Sequence, residues 1–225
     1  MTFITIFVAP YCSNTKPFDV QPEYNIQVIG CVHGGTRYAY YCLLSAGLSV
    51  GLGCIESDGY VGWPFATGFY NEQGEEMEGA KFHHTFHQVR HPLSVIASVL
   101  ALMNELPASP SLSFIYQQVP EINQNDDPLI KSAKYWYYWN KKIESFSEWT
   151  YKVENLTDSD VIDEFEARLN LHCDRISMCG IPKHLGSSGK ALTITWEMLQ
   201  QNIPLDLFNK IGIMARRYGY DVPGY

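Results

Sequence analysis

A strand-like run, two adjacent glycines and a helix-like run follow one another near the start of the chain. Residues 25–32 alternate in polarity and end apolar, which is typical of a strand buried inside a sheet. Gly34 and Gly35 interrupt this strand, and residues 36–46 then have the periodicity of a helix that Gly47 closes. The pattern predicts a strand–loop–helix unit, and such units in series build a parallel sheet covered by helices.

The same alternation continues through the rest of the sequence. Further strands are predicted at 48–55, 81–89 and 150–156, helices at 92–104, 131–149, 158–171 and 195–218, and loops at 56–79, 104–130 and 174–192. The last helical region is interrupted at Pro204. We therefore expect the fold class α/β, as one three-layer α/β/α domain over residues 1–225 with a central parallel sheet. Ligands of such sheets bind at the carboxyl ends of the strands.

Bulk composition argues against several classes of protein. The chain has 225 residues, of which 46% are hydrophobic and 18% charged, as in an ordinary globular protein. Its formal net charge of −8 counts against a nucleic-acid binder, which needs a basic face to neutralise phosphates. The apolar N-terminus has no basic residue before it, so we predict a strand rather than a signal peptide, and no run has the roughly 20 apolar residues of a membrane span. Six cysteines without a CxxC spacing favour reduced thiols in a cytoplasmic protein.

The glycine loop between the first strand and the first helix can bind an anion. Backbone N–H groups and the positive end of the helix dipole converge at such a loop. Gly34 and Gly35 allow close approach because they have no side chain. Thr36 can add a hydroxyl, and His33 and Arg37 can add positive charge. The same residues are equally compatible with a plain structural turn.

Arg90 and Ser98 form a second possible anion site. Arg90 is predicted to end a strand, so its side chain would reach the same edge of the sheet as the glycine loop. A guanidinium can bind a phosphate through two parallel hydrogen bonds. Ser98, eight residues later on the following helix, can add a hydroxyl. The alternative is that Arg90 forms a structural salt bridge and Ser98 only packs.

Three motifs, in this order, resemble those of the sulfotransferase family, in particular its short bacterial and viral members. The first is Gly30-Cys31-Val32-His33-Gly34-Gly35-Thr36-Arg37-Tyr38, the second is Arg90-His91-Pro92 followed by Ser98, and the third is Tyr151-Lys152-Val153-Glu154-Asn155-Leu156. Segments 47–63, 135–140 and 192–199 also look similar to segments of these short members. The resemblance extends from about residue 25 to the end, and it depends on the ordered set rather than on any single motif.

The resemblance implies a P-loop NTPase-like sulfotransferase architecture and the co-substrate 3′-phosphoadenosine 5′-phosphosulfate, bound without a metal. The residues implied for the 5′-phosphosulfate are Gly34, Gly35, Thr36, Arg37 and Tyr38, and those for the 3′-phosphate are Arg90 and Ser98. Cytosolic members close a late loop over the 3′-phosphate, which points to Lys190 here. The implied reaction moves a sulfuryl group to a hydroxyl or amine of a small-molecule or glycan acceptor.

Two positions of the first motif depart from the family pattern. His33 stands where the family has a lysine or arginine that steadies the leaving phosphate, and a histidine can do this only when protonated. Gly34 stands in place of a serine, which removes one hydroxyl. Both departures weaken the expectation of efficient transfer.

Several residues are candidates for the catalytic base. Short members often have Gly-His-Glu after the second strand, where this chain has Gly51-Leu52-Gly53. Glu56 and Asp58 follow closely and can substitute, or they are exposed loop carboxylates. Cytosolic members carry their base in the strand before the arginine motif, which here contains His83, His84 and His87. A zinc site on these histidines is disfavoured because alternate residues of a strand point to opposite faces.

Two other functions stay open at this point. A degenerate family member would bind a nucleotide or a partner without turnover, as the residues at positions 33 and 34 suggest. A P-loop kinase is the third interpretation, against which the missing Gly-Lys-Ser/Thr ending of the loop counts. The sequence favours neither a nucleic acid nor a membrane as partner, and it does not define the oligomeric state.

Overall fold

The computed structural model describes residues 23–64, 80–182 and 192–224. Five parallel strands form one sheet in the order β2-β3-β1-β4-β5. The strands are β1 (Glu23–Gly30), β2 (Val50–Leu52), β3 (Gly59–Gly62), β4 (Lys81–Val89) and β5 (Trp149–Lys152). β1 lies at the centre, and its residues Ile26, Val28 and Ile29 are fully buried, as a parallel sheet covered on both faces requires.

Helices cover both faces of this sheet. They are α1 (Thr36–Ser45), α2 (Pro92–Glu105), α3 (Pro110–Gln118), α4 (Pro128–Glu144), α5 (Ser159–Leu169), α6 (Arg175–Cys179), α7 (Trp196–Asn202) and α8 (Leu205–Arg217). One buried cluster contains residues of α2, α3, α4 and α8, and a second contains residues of α1 and α5. The predicted α/β class with a three-layer α/β/α arrangement is confirmed.

A short strand lies inside the stretch 56–79 that we predicted as a loop. β3 pairs in parallel with both β1 and β2, although only residues 53–58 connect it to β2. Gly59 has φ 149°, and a Cβ at this position would lie 1.8 Å from the carbonyl oxygen of Ile26. Only glycine fits here, because a side chain would clash with β1. Glycine suggests a loop in the sequence, but here it allows β1 and β3 to approach closely. The loop prediction is wrong for residues 59–62.

Helix α3 replaces part of the loop that we predicted at 104–130. Ser109 precedes it, and its hydroxyl accepts a hydrogen bond from the N–H of Leu112 at 3.3 Å. Leu112, Phe114 and Ile115 are buried. The loop prediction failed because proline at the first helical position is favourable, since that position needs no intrahelical N–H. The short helix α6 likewise lies within the predicted loop 174–192.

The carboxyl ends of three strands lie side by side. Gly30 of β1 is level with Gln88 of β4, and Val89 of β4 is level with Lys152 of β5. The glycine loop follows β1, Arg90 follows β4, and a 3₁₀ turn (Val153–Asn155) follows β5. These three connections therefore lie at one edge of the sheet, where parallel α/β proteins bind ligands.

Helix α4 anchors this edge through its aromatic side chains. Tyr135, Trp136 and Trp139 are fully buried and form part of the core. The indole N–H of Trp139 donates to the carbonyl of Gly30 at 3.2 Å, and that of Trp136 donates to the carbonyl of Arg90 at 3.4 Å. Two tryptophans thus combine hydrophobic burial with hydrogen bonds to the ends of β1 and β4.

Two further findings concern the described part of the chain as a whole. None of its helices combines the length and the apolar character that crossing a bilayer demands. Five of the cysteines lie in these residues, and none of the five forms a disulfide there: Cys31, Cys42, Cys54, Cys173 and Cys179.

Candidate functional site

The glycine loop between β1 and α1 has a tightly constrained backbone. The N–H of Gly34 donates to the carbonyl of Cys31 at 2.8 Å, which closes a four-residue turn. His33 has φ 58° and Gly35 has φ 84°, both in the left-handed region. A Cβ on Gly34 would lie 2.6 Å from the carbonyl oxygen of Cys31, so a side chain there does not fit this turn.

Three side chains from other elements hold the loop. The N–H of Val32 donates to the hydroxyl of Tyr135 at 2.7 Å. The side-chain amide of Gln88 donates to the carbonyl of Gly34 at 2.8 Å. One guanidinium nitrogen of Arg90 donates to the carbonyl of His33 at 2.9 Å. The loop is therefore fixed by β4, by the residue that follows β4 and by α4.

Arg90 brings two of the sequence motifs together at the carboxyl edge. Its bond to His33 uses one nitrogen, and a guanidinium has donors left for a further acceptor. Within the residues that the structure describes, no carboxylate lies within salt-bridge distance of Arg90 or of Arg37. Arg37 is also exposed. Two guanidinium groups without acidic partners thus flank the loop, as a site for an anion requires.

His33 contributes an imidazole whose charge depends on its surroundings. The residue is exposed, yet the protein around the ring lowers the pKa of His33, first through desolvation and then through the positive charge of Arg90. The imidazole is therefore neutral at pH 7 when no anion is bound. The cation expected at this position forms only at lower pH, or when a bound anion raises the pKa of the imidazole and the ring takes a proton from solvent.

Main-chain N–H groups at the start of α1 complete the anion-binding features. Helix α1 begins at Thr36 and has no side-chain cap. The N–H groups of Gly35, Thr36 and Arg37 receive no acceptor from the part of the chain that is described. First-turn N–H groups of a helix attract negative charge. Three such N–H groups at the start of a helix can donate to one phosphate or sulfate group.

Tyr38 and Ser98 do not add side chains to this arrangement. The ring of Tyr38 belongs to the buried cluster of α1 and α5, and burial raises its pKa to about 12, so only its main chain faces the loop. The hydroxyl of Ser98 donates to the carbonyl of Ser94 at 2.9 Å, inside α2. Lys190 lies outside the described residues.

Glu56 and Asp58 lie near the other edge of the sheet. The carboxylate of Asp58 accepts the N–H of Ser49 at 2.6 Å, and its carbonyl accepts the N–H of Ile26 at 3.0 Å. Ile26 precedes Gly30 by four residues, which is about 13 Å along a strand. Glu56 exchanges backbone hydrogen bonds with Gly59, which is level with Ile26. The structure therefore does not bring either predicted base to the glycine loop.

The three strand histidines are also not assembled as a base. His83 is exposed and His84 lies 3.0 Å from Glu148, both in the first half of β4. His87 is fully buried, with one ring nitrogen 2.9 Å from Asn140 and the other 3.3 Å from Thr150. None of them reaches the carboxyl edge with a solvent-facing nitrogen.

Glu154 and Gln88 are the residues at this edge that the sequence analysis missed. Glu154, in the 3₁₀ turn after β5, accepts the N–H of His91 and the hydroxyl of Tyr220, each at 2.9 Å. It therefore fixes the turn between Arg90 and α2. Glu154 belongs to the third motif, and its place in that motif was a sequence signal that it lies at this site. Gln88 had a weaker signal, as one polar residue near the apolar end of a strand.

Open space lies beside this edge. A cavity of about 420 Å³ is lined by Trp196, Arg216, Tyr220, Asp221, Val222 and Pro223. The rings of Trp196 and Tyr220 contact the ring of His91, with centroid distances of 6.2 and 5.1 Å. A second cavity, of about 470 Å³, follows the outer edge of β5. The first cavity borders the ring of His91, the residue that follows Arg90.

Comparison with family models, with curated proteins and with solved structures finds no match to this chain. The resemblance to sulfotransferases therefore remains a hypothesis carried by its three motifs. In the described ranges, no group of three or more His, Cys, Asp or Glu side chains is arranged to hold a metal ion.

Proposed function

We propose that this chain binds 3′-phosphoadenosine 5′-phosphosulfate at the carboxyl edge of its sheet and transfers the sulfuryl group to a hydroxyl or amine acceptor. The observation that carries the proposal is the hydrogen bond from Arg90 to the carbonyl of His33. It joins the first two motifs, which lie far apart in the sequence. Beside it lie main-chain donors that receive no acceptor from the described residues. Arg37 adds a second cation at the start of α1.

The proposed chemistry is an in-line displacement. The acceptor oxygen or nitrogen forms a bond to sulfur while the bond between sulfur and the bridging oxygen breaks. 3′-Phosphoadenosine 5′-phosphate leaves with the electron pair, and the acceptor proton passes to a base or to water. His33, Arg37 and the N–H groups of Gly35 and Thr36 would stabilise the negative charge that develops on the leaving phosphate. The acceptor would be a small molecule or a glycan.

Arg90→Ala is expected to weaken binding of 3′-phosphoadenosine 5′-phosphate by roughly 10- to 100-fold, because a charge-assisted hydrogen bond contributes about 1.5–3 kcal/mol. Isothermal titration calorimetry of the wild type and the variant measures this loss. Lys210→Ala is the matched control, since it also removes one positive charge and its ion pair with Asp206 lies on the exposed face of α8.

The outcomes of this titration separate the candidate functions. Micromolar binding to the wild type and to Lys210→Ala, with weak binding to Arg90→Ala, supports the proposal. Tight binding of ATP with Mg²⁺ instead would favour a kinase. No binding of either nucleotide to the wild type at pH 5.5 and pH 7.5 would leave only a likeness of fold.

Acidification is expected to strengthen anion binding through His33. Its pKa is lowered in the free protein, so the imidazole gains its proton only as the pH falls below the ordinary value of 6.5. We expect about tenfold tighter binding at pH 5 than at pH 8, as one charged hydrogen bond is added. Inorganic sulfate is the probe because its own charge is constant over this range.

His33→Asn is the matched variant for this pH dependence. Asparagine tolerates the left-handed backbone that His33 adopts, with φ 58°, and it does not titrate. We expect a flat affinity profile between pH 8 and pH 5. A profile in His33→Asn as steep as that of the wild type would assign the effect to His91, which also lies beside Arg90 and whose pKa is also lowered, by desolvation first.

A second candidate function is nucleotide binding without turnover. The placement of Glu56 and Asp58 favours it, because the connection that carries them lies toward the amino ends of the strands, away from the glycine loop. Both candidates predict binding of 3′-phosphoadenosine 5′-phosphate. Only the first predicts consumption of the sulfated donor when acceptors are supplied.

A further inference from the structure

Gln88 is a fully buried polar side chain at the centre of the sheet, next to the glycine loop. It is the penultimate residue of β4 and is level with Gly30 of β1. Burying an amide is costly unless both of its ends are hydrogen-bonded. Its nitrogen donates to the carbonyl of Gly34 at 2.8 Å, and its oxygen accepts the hydroxyl of Tyr151 at 3.0 Å. Both ends are therefore satisfied.

The direction of this amide is fixed by its partners. The carbonyl of Gly34 can only accept a hydrogen bond, so the NH₂ group of Gln88 must face it. The hydroxyl of Tyr151 then donates to the remaining oxygen. The chain of bonds from Tyr151 through Gln88 to Gly34 thus has one direction only.

This hydrogen bond also sets the direction of the neighbouring N–H group. The C=O of Gly34 and the N–H of Gly35 belong to one planar trans peptide, in which the two bonds point to opposite sides. Because the carbonyl points inward to Gln88, the N–H of Gly35 points away from the sheet. It lies beside the N–H groups of Thr36 and Arg37, which also receive no acceptor from the described residues.

The contacts of Arg90 do not duplicate this effect. Arg90 holds the carbonyl of His33, and the N–H of the same peptide, that of Gly34, is used by the carbonyl of Cys31. The N–H of the His33–Gly34 peptide is therefore already used within the turn. The N–H of the Gly34–Gly35 peptide is directed outward, because the buried side chain of Gln88 holds its carbonyl.

We infer that Gln88 is a positioning residue that orients the Gly34–Gly35 peptide, so that the N–H of Gly35 faces a bound anion. This inference rests on the proposed anion site. Gln88 itself does not touch the ligand. Its effect on anion affinity can be measured separately from its effect on the stability of the fold, so the positioning role can be tested.

The test compares Gln88→Met with Tyr151→Phe. Methionine has a similar volume and cannot donate to Gly34, whereas Tyr151→Phe leaves the bond between Gln88 and Gly34 in place. Thermal unfolding measures the stability of both variants. We expect both to be less stable than the wild type, since each leaves a buried polar group without a partner.

Titration with 3′-phosphoadenosine 5′-phosphate and with inorganic sulfate gives the affinity. We expect Gln88→Met to bind about tenfold more weakly than the wild type, the effect of one lost donor. Tyr151→Phe is expected to stay within about twofold of the wild type. Equal affinities of Gln88→Met and the wild type would overturn the inference.

A readout without ligand separates this inference from the proposed function. Amide ¹H–¹⁵N shifts of Gly34, Gly35 and Thr36 are expected to move in Gln88→Met and not in Tyr151→Phe. If the wild type binds no anion but these shifts move, the proposed function fails and the positioning role stands. If the shifts do not move, the positioning role fails whether or not an anion binds.

Discussion

Gly34→Ser is expected to abolish measurable binding of 3′-phosphoadenosine 5′-phosphate, although serine is the residue that the sulfotransferase pattern has at this position. A Cβ on Gly34 would lie 2.6 Å from the carbonyl oxygen and 3.2 Å from the nitrogen of Cys31. Both are backbone atoms of the same turn and cannot rotate away. The turn must open at a cost of about 1–3 kcal/mol, and the donors of Gly35 and Thr36 move with it. Calorimetry and thermal unfolding measure the two effects.

Gly47→Ser is the control for this substitution. Gly47 has φ 97°, and a Cβ there would have no neighbour within 4 Å. Serine at this position strains the backbone without a clash, at a cost of about 1 kcal/mol. We expect a loss of stability with unchanged affinity for the nucleotide. Tighter binding by Gly34→Ser would show that the loop accommodates serine as the family does, contrary to the geometry of this turn.

Acid is expected to remove about 3 kcal/mol of stability through His87 alone. Its imidazole is fully buried, and desolvation lowers the pKa of His87 from 6.5 to about 4, with a smaller contribution from Arg217 and against the hydrogen bond to Asn140. The unfolded chain takes up the proton near pH 6.5, whereas the folded chain does so only near pH 4. Stability is complete above pH 6.5 and falls as the pH drops to about 4, at about 1.4 kcal/mol for each pH unit.

His87→Gln isolates this contribution. The amide of Asn140 donates to the carbonyl of Trp136 at 2.7 Å, so its oxygen faces position 87 as an acceptor, and glutamine can donate to it without titrating. Urea unfolding between pH 7 and pH 4 is expected to show a shallower loss for His87→Gln than for the wild type. Parallel curves for the wild type and His87→Gln would contradict the assignment.

The elements that the sequence predicted correctly are those in which local pattern and tertiary environment agree. β4 was predicted at its observed residues, and α1 and α2 begin where glycine and proline indicated. β3 and α3 were missed because glycine and proline usually indicate a loop. In this fold Gly59 instead begins a strand and Pro110 begins a helix. Gly59 is needed for close contact with Ile26, and Pro110 begins a helix whose apolar face is covered by α2 and α4. Such partners lie far away in the sequence and leave no local signal.

The candidate site was predictable only where it depends on the general geometry of parallel sheets. The glycine loop and Arg90 were placed together because the carboxyl ends of parallel strands share an edge. Glu56 and Asp58 lie away from that loop, because the short connection from β2 returns the chain to the amino ends of the strands before β3 begins. The sequence contains no signal for this return.

The partners of the glycine loop are distant in the chain, and this has a consequence for how the protein folds. Trp139 is 109 residues away from Gly30, Tyr135 is 103 away from Val32, and Gln88 is 54 away from Gly34. Closing such long loops is slow, so contacts of this separation form late in folding. During synthesis the loop would lack its support from α4 until residues 135–139 leave the ribosome. The geometry of the site is therefore completed well after its own residues have been made.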